Sequence, residues 1–375
     1  MSDLAQLQTP CLVLERGRVA ANVARLKEHL EGLGGTLRYH VKTAKSLEVT
    51  DLVLGGRKAP IAVSTLKEAE QFFDGGYQDI LYAVGIEQGK LARARALAER
   101  GAQLTLILDS IEAARVVARF TTDSGTAFPV LIEIDTDGHR AGVEPDDPAL
   151  IAVARALQQG GCKVAGVMTH AGASYGCRSI EEIEAMADRE RDGAVAAAQA
   201  LRRAGYDAPT VSIGSTPTAT FARDLTGVSE VRAGVFVFFD LVMAGIGVCR
   251  QEDIALSVLA TVIGHRADKG WTIVDAGWMA LSRDRGTATQ RLDQGYGVVC
   301  DLDGRPIADL LVVEANQEHG VIAARNGGKP RPLPVGTRIR ILPNHACATG
   351  AQHTAYHVVD GGRTVEATWS RFSGW

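Results

Sequence analysis

Between residues 36 and 240 one pattern recurs eight times: a short apolar, β-branched run followed by an amphipathic stretch. The runs are LRYHVK (37–42), PIAVS (60–64), DILYAV (79–84), LTLIL (104–108), VLIEID (130–135), VAGVMTH (164–170), VSIGS (211–215) and VRAGVFVFF (231–239). Runs without polar alternation suit strands covered on both faces, as in a parallel sheet. Between them lie helical stretches such as GKLARARALAER, SIEAARVVARF and IEEIEAMADRERDGAVAAAQALRRAG. The stretch ahead of the first run shows Val19, Val23, Leu26 and Leu30 on one stripe. In STLKEAE, Ser64 or Thr65 is the expected N-cap, with Glu68 or Glu70 in the first turn. Parallel strands need helical crossovers, and eight of them fit a (β/α)8 TIM-like barrel. A doubly wound sheet fits less well, because chemically capable residues end many strands and do not gather at one switch point.

After about residue 244 the periodicity changes. LSVLATVIGH, GWTIVDAG, LLVVEANQ, GTRIRILP and AYHVVDG are short strands broken by Gly, Pro and Asp, the signature of a mainly antiparallel β domain. The expected organisation is therefore a barrel over 11–243, with 1–10 and 244–375 forming the β domain. Lys+Arg 40 against Asp+Glu 44, without a basic block, argues against a nucleic-acid partner. No apolar run reaches bilayer length and no charged-then-apolar leader opens the chain, so no membrane association and a cytoplasmic location are expected. The six cysteines form no CxxC pair, and no disulfide framework is expected.

The ends of the strands carry the chemistry. HVKTAKS puts Lys42 at the end of the first strand, where partial burial in a barrel mouth lowers an amine's pKa and suits Schiff-base chemistry. Lys45 stands where the next helix begins. EIDTDGHRAGV places Arg140 after a Gly-containing turn, and MTHAG places His170 at the end of the sixth strand, with Ser174 and Tyr175 beyond. Gly214, Ser215 and Thr216 end the seventh strand, and Gly234 lies in the eighth, the region where barrels bind phosphate. An N-cap with Pro217 at the first helical position accounts for the same hydroxyls without a ligand. In PNHAC, His345 and Cys347 lie two apart, and on an extended segment both project to one side. Imidazole plus thiolate suits Zn²⁺, but two ligands do not close a structural site, so an open site is expected.

TPCLVL, HVKTAKS, STLKEAE, EIDTDGHRAG, THAGASY, GSTPT, EVRAGVFVFFD, QEHG and PNHAC run almost end to end. Together they resemble the fold-type III pyridoxal-phosphate enzymes, with an alanine racemase-like fold, and within them the D-threonine aldolase and D-serine dehydratase-like group. The resemblance implies that Lys42 carries pyridoxal 5'-phosphate and that Gly214, Ser215, Thr216, Gly234 and Val235 hold its phosphate. It implies Arg140 near the phenolate oxygen, His170 against the ring, Tyr175 close by, and Arg232 in the place of a ring-nitrogen partner. It assigns Zn²⁺, or another divalent metal, to His345 and Cys347. The implied activity is loss of the β-hydroxyl from a small D-3-hydroxy amino acid by a homodimeric enzyme. Through DLVMAGIGVC, VDAGWMALSRDRG, ANQEHG and ILPNHACATGAQ the resemblance further implies D-threo-3-hydroxyaspartate as substrate, with oxaloacetate and ammonia as products. D-serine dehydration and D-threonine-type retro-aldol cleavage are the alternatives. Cys347 favours elimination, because the aldolases tend to carry an acidic residue there. For the second carboxylate, Arg283, His319 and His353 are the candidate cations.

Overall fold

The structure, a computed structural model, describes residues 2–328 and 333–375. The chain divides into two compact units. The barrel unit comprises Arg25–Lys42, Thr50–Gly234 and Gly374–Trp375. The sheet unit runs through Ala24, then Thr43–Val49 and Val235–Ser373.

Strand β1 (Cys11–Glu15) and helix α1 (Arg16–Gly32) come first. The barrel strands are β2 (Leu37–His40), β3 (Ile61–Val63), β4 (Asp79–Gly85), β5 (Gln103–Leu108), β6 (Pro129–Ile134), β7 (Lys163–Thr169), β8 (Thr210–Ile213) and β9 (Glu230–Ala233). Between them run α2 (Leu47–Leu54), α3 (Leu66–Asp74), α4 (Gln88–Glu99), α5 (Ile111–Ser124), α6 (Ala149–Gln159), α7 (Ile180–Arg203) and α8 (Thr216–Phe221). Every strand pairs in parallel with the next, and β2 closes on β9, with Leu37 opposite Val231 and Tyr39 opposite Ala233. Ala62, Leu81, Ile107, Leu131, Ala165 and Met168 pack as one buried cluster drawn from five consecutive strands. Such a barrel is a filled core, so its chemistry must sit at the rim.

Local sequence explains the elements. Thr65 is the N-cap of α3: its hydroxyl accepts the Glu68 amide at 3.0 Å, and the Glu68 carboxylate accepts the Ser64 amide at 2.8 Å. That choice, left open by the sequence, satisfies two helix-end donors at once. The eighth strand is shorter than expected. It ends at Ala233, and Val235–Val237 form a 3-10 turn. An apolar run records burial, and buried turns are as apolar as buried strands.

The sheet unit adds α9 (Leu241–Gly245), β10 (Leu256–Arg266), β11 (Trp271–Val274), α10 (Trp278–Leu281), β12 (Val298–Cys300), β13 (Pro306–Ala315), β14 (Gly320–Ala324), β15 (Arg338–Leu342), α11 (Ala346–Gly350), β16 (Ala355–Val359) and β17 (Ala367–Ser370). Among the described residues its strands run in the order β11-β14-β13-β12-β15-β10-β1-β16-β17, and β11 also pairs with β10, which curls the sheet. All pairs are antiparallel except β1 with β16. Residues 11–15, expected at the head of the barrel stretch, are therefore a central strand of the sheet. Strand pairing over such sequence distances leaves no local signal. Leu4, Val13, Leu259, Val359 and Val365 form a core on this sheet. Arg340, 1% exposed, donates to Glu15 at 2.6 Å and to Ser257 at 2.8 Å, tying β15 to β1 and β10.

Candidate active site

In the barrel unit, polar groups converge where β7, β8 and β9 end. Gly214 has φ +133°, and a Cβ there would lie 2.1 Å from the Arg232 carbonyl oxygen. Only glycine lets the β8–α8 turn approach β9 so closely. Ser215 caps α8, and its hydroxyl meets those of Thr218 at 3.0 Å and Ser174 at 2.8 Å. The Thr216 hydroxyl is buried and has no hydrogen-bond partner among the described residues. A buried hydroxyl without a partner costs about 1–3 kcal/mol, and a phosphate oxygen is a chemically fitting acceptor. On this ground the cup fits a phosphate-bearing cofactor.

Glu190 of α7 braces the turn. Its carboxylate accepts the Gly214 amide at 3.0 Å, the Ala171 amide at 2.8 Å and the Thr218 hydroxyl at 2.6 Å. Burial raises its pKa, and these bonds oppose the rise. From the same rim, His170 Nδ1 lies 2.9 Å from the Gly214 carbonyl, which can only accept. Nδ1 therefore carries the proton, and Nε2 keeps its lone pair. Burial, then the charges of Lys42, Arg232 and Arg140, hold His170 down at about 3. The Tyr175 ring centroid is 6.1 Å from that of His170.

Buried Arg232 donates to the Thr169 carbonyl and, at 2.6 Å, to Ser212, which in turn donates to Glu230. Gly234 and Val235 are both buried, Gly234 just after β9 and Val235 opening the 3-10 turn. Lys42 is exposed, not partly buried as its strand-end position suggested. Strand β2 stops at His40, and the turn that follows buries Val41, Thr43 and Ala44 but not Lys42. The Lys42 amide donates to His40 Nδ1 at 3.5 Å, and burial pushes the His40 imidazole well below its usual pKa. Arg140 is exposed and reaches back to Glu133 at 3.4 Å.

A pH effect follows from His170. An unfolded chain protonates this ring near pH 6.5, whereas the folded chain resists until about 3. Across that window the unfolded state binds the extra proton, so stability falls as pH drops from 6.5 towards 3. At about 1.4 kcal/mol per pH unit, acidification from 6.5 to 4 costs about 3 kcal/mol through this group. Denaturant unfolding at pH 7 and pH 4 checks it: His170→Gln is expected to show a shallower acid loss than the parent.

In the sheet unit the segment after β15 does not stay extended. His345 has φ −137° and ψ 108° at the N-cap position of α11, and Cys347 lies in that helix's first turn. The bend is anchored by buried Asp240, which accepts the Ala346 amide at 3.0 Å and the Met243 amide at 3.0 Å. The expected same-side projection from a strand is thus replaced by a helix-start geometry that still brings imidazole and thiol together. His345 Nδ1 lies 2.7 Å from Asp284 Oδ2, and the Cys347 thiol donates to the Thr43 hydroxyl at 3.2 Å. Burial works against charge on His345, but the bonds to Asp284 and Cys347 and the charge of Asp240 outweigh it, pushing the ring up to about 11. An imidazole and a thiol brought together at one helix start, with a carboxylate on the other ring nitrogen, are a donor set that fits an N/S-binding divalent ion. Among the described residues, His, Cys, Asp and Glu form no group of three or more suited to a metal, so His345 and Cys347 stand as a pair.

Of the candidate cations, half-buried His353 is bonded through Nε2 to the Ala280 carbonyl at 2.9 Å, and burial lowers its pKa. A neutral, committed imidazole is a poor carboxylate receptor. His319 is exposed. Arg283 is exposed and stacked 4.2 Å over Trp278, with no ion pair among the described residues.

Sequence reasoning missed Asp284, Asp240, Thr43 and Glu190. Glu190 had a signal: it falls on the buried stripe of α7 with Ile183, Met186, Ala187, Ala194 and Ala197. Among the described residues no helix is long and apolar enough to cross a membrane.

The model of the alanine racemase N-terminal domain matches residues 14–242, and that of the putative serine dehydratase domain matches residues 255–359. The chain is 55% identical over 377 residues to D-threo-3-hydroxyaspartate dehydratase of Delftia sp. (strain HT23), covering 99% of each. It is 30% identical to D-serine dehydratase of Dictyostelium discoideum, over 97% of this chain and 96% of that one. The solved structure of the Delftia dehydratase superposes with a TM-score of 0.98 at 54% identity, covering 100% of both chains. A histidine-to-alanine mutant of D-threo-3-hydroxyaspartate dehydratase and the metal-free form of a cysteine-to-alanine mutant superpose with the same score. The chain belongs to the fold-type III pyridoxal-phosphate enzymes, in the branch that joins an alanine racemase-type barrel to a serine dehydratase domain.

Proposed function

We propose that this enzyme is a pyridoxal-phosphate- and zinc-dependent dehydratase that converts D-threo-3-hydroxyaspartate to oxaloacetate and ammonia. The His345–Cys347 pair, with Asp284 on the imidazole, carries the reading, because an N/S pair in a 2.7 Å carboxylate's reach suits zinc better than a redox role. The dehydratase mutants support it: the histidine and cysteine replaced in them lie two positions apart, as His345 and Cys347 do, and the cysteine mutant is a metal-free form.

Bound pyridoxal phosphate supplies an electron sink, and a zinc ion supplies Lewis acidity towards a leaving hydroxyl. The chain supplies the rest. Lys42 Nζ would hold the cofactor and, once free, would take the α-proton of the substrate. The Thr216 hydroxyl, with Gly214, Ser215, Gly234 and Val235, grips the phosphate. Neutral His170, with Tyr175 beside it, would offer the cofactor ring a face that adds no positive charge, and Arg140 would supply a cation for its phenolate oxygen. His345 and Cys347 would hold the ion, whose Lewis acidity would favour the β-hydroxyl as the group to leave.

Arg283 receives the far carboxylate in this reading, since it is exposed, lacks an acidic partner among the described residues, and adjoins Asp284. Assays with D-threo-3-hydroxyaspartate, D-serine and D-threonine test the whole. Oxaloacetate and ammonia are expected from the first; glycine and acetaldehyde from D-threonine as the main activity overturn the dehydratase reading. In the same panel Arg283→Met is expected to raise KM for the hydroxyaspartate about 10–100-fold, the worth of a charge-assisted contact of about 1.5–3 kcal/mol. Turnover of D-serine should stay near the parent level.

A further inference from the structure

The loop from Ala280 to Thr287 is sewn to the segment Asn344–His353 by side-chain hydrogen bonds. Thr287 donates through its hydroxyl (2.6 Å) and its amide (3.2 Å) to Asn344 Oδ1, and Asn344 Nδ2 donates to the Gly295 carbonyl at 2.7 Å. The Thr349 hydroxyl donates to the Leu281 carbonyl at 2.8 Å, and His353 Nε2 bonds the Ala280 carbonyl at 2.9 Å. At the centre of this seam, Asp284 Oδ2 meets His345 Nδ1 at 2.7 Å.

Asp284 is itself held still. Its Oδ1 accepts the Gly286 amide at 2.8 Å, and its own amide donates to the Ser282 hydroxyl at 3.2 Å. Ser282 is buried and adopts φ +74°, a left-handed conformation that is strained for a non-glycine residue. The loop bears that strain while aiming one carboxylate oxygen at the imidazole.

We propose that Asp284 is the positioning residue of the metal centre. Bonded to Nδ1–H, it fixes the tautomer of His345 that leaves the Nε2 lone pair for the ion, and it sets the ring's orientation towards the ion shared with Cys347. The proposal rests on the reading of His345 and Cys347 as metal ligands. A carboxylate in this position also raises the basicity of the ligating imidazole, and loss of such a partner typically weakens metal binding about 10–100-fold.

The test measures zinc affinity of the full-length protein by competition with a chromophoric chelator, and records the visible absorption of cobalt(II) in place of zinc. Asp284→Asn is expected to weaken zinc binding about 10–100-fold and to shift the cobalt bands, with Asp284→Glu recovering part of both. His345→Ala, measured alongside, is expected to lose the ion. Unchanged affinity and cobalt spectrum in Asp284→Asn, with the ion lost from His345→Ala, overturns the positioning role and leaves the metal assignment standing. Zinc retained by His345→Ala at parental affinity overturns the metal assignment and the positioning role with it. A fall in Asp284→Asn affinity with no recovery in Asp284→Glu and a cobalt spectrum like the parent's marks general loop damage and also counts against the proposal.

Discussion

Lys42→Ala is expected to remove ammonia release from D-threo-3-hydroxyaspartate, a loss of at least about 10³–10⁴-fold. Two jobs vanish together, attachment of the cofactor and acceptance of the α-proton, so the loss should exceed that of a single acid–base group. Lys42 is exposed, and substitutions at such positions usually change stability by no more than about 0.5 kcal/mol. An inactive variant with parental unfolding behaviour therefore reports chemistry and not damage. The visible absorbance of lysine-bound cofactor should disappear, and added methylamine should restore part of the activity. A variant that keeps the parental absorbance band and turnover rejects this lysine.

Cys347→Ala, and equally chelation of the parent, is expected to strip the metal and cut dehydration by at least about 10²-fold, since Lewis-acid help to a poor leaving group is worth several kcal/mol. One function should survive. Exchange of the substrate's α-hydrogen in deuterium oxide depends on Lys42 and the cofactor, so it is expected to continue when ammonia release has stopped. Metal content and both rates measured on one preparation decide the matter. Full ammonia release after verified metal loss rejects a metal role in the elimination.

Much of the barrel could be read in advance because several of its strands are continuous apolar runs set apart by polar helix-forming sequence, and a period change is a local signal. The same logic overran at residues 235–237, where apolar residues line a 3-10 turn. The strands Val298–Cys300, Gly320–Ala324 and Ala367–Ser370 escaped notice because each is only three to five residues long. For β1, sequence supplied an apolar run but not its neighbours, which are set by pairing with residues more than two hundred positions away.

The site divides in the same way. Lys42, Gly214, His345 and Cys347 stand out by residue type at strand ends or in a compact motif. Asp284 does not: its role exists only because a loop some sixty residues upstream folds back on His345. Asp240 is equally silent, being an acid that follows an apolar run and acts through one amide of α11. Partners of this kind are defined by distance in space, and a single sequence holds no record of that distance.

The parallel pairing of β1 with β16, Leu12 opposite Tyr356 and Leu14 opposite Val358, also bears on how the molecule is made. On the ribosome β1 emerges well before its β16 partner, which is synthesised more than three hundred residues later. Until then an apolar strand waits with an open hydrogen-bonding edge, the kind of surface that pairs with the wrong chain. The barrel's strands, by contrast, each meet a neighbour within a few dozen residues. Chaperone dependence and loss to aggregates in this protein should therefore trace to the wait for β16, and lesions that delay or delete that strand should lower soluble yield more than comparable lesions among the barrel strands.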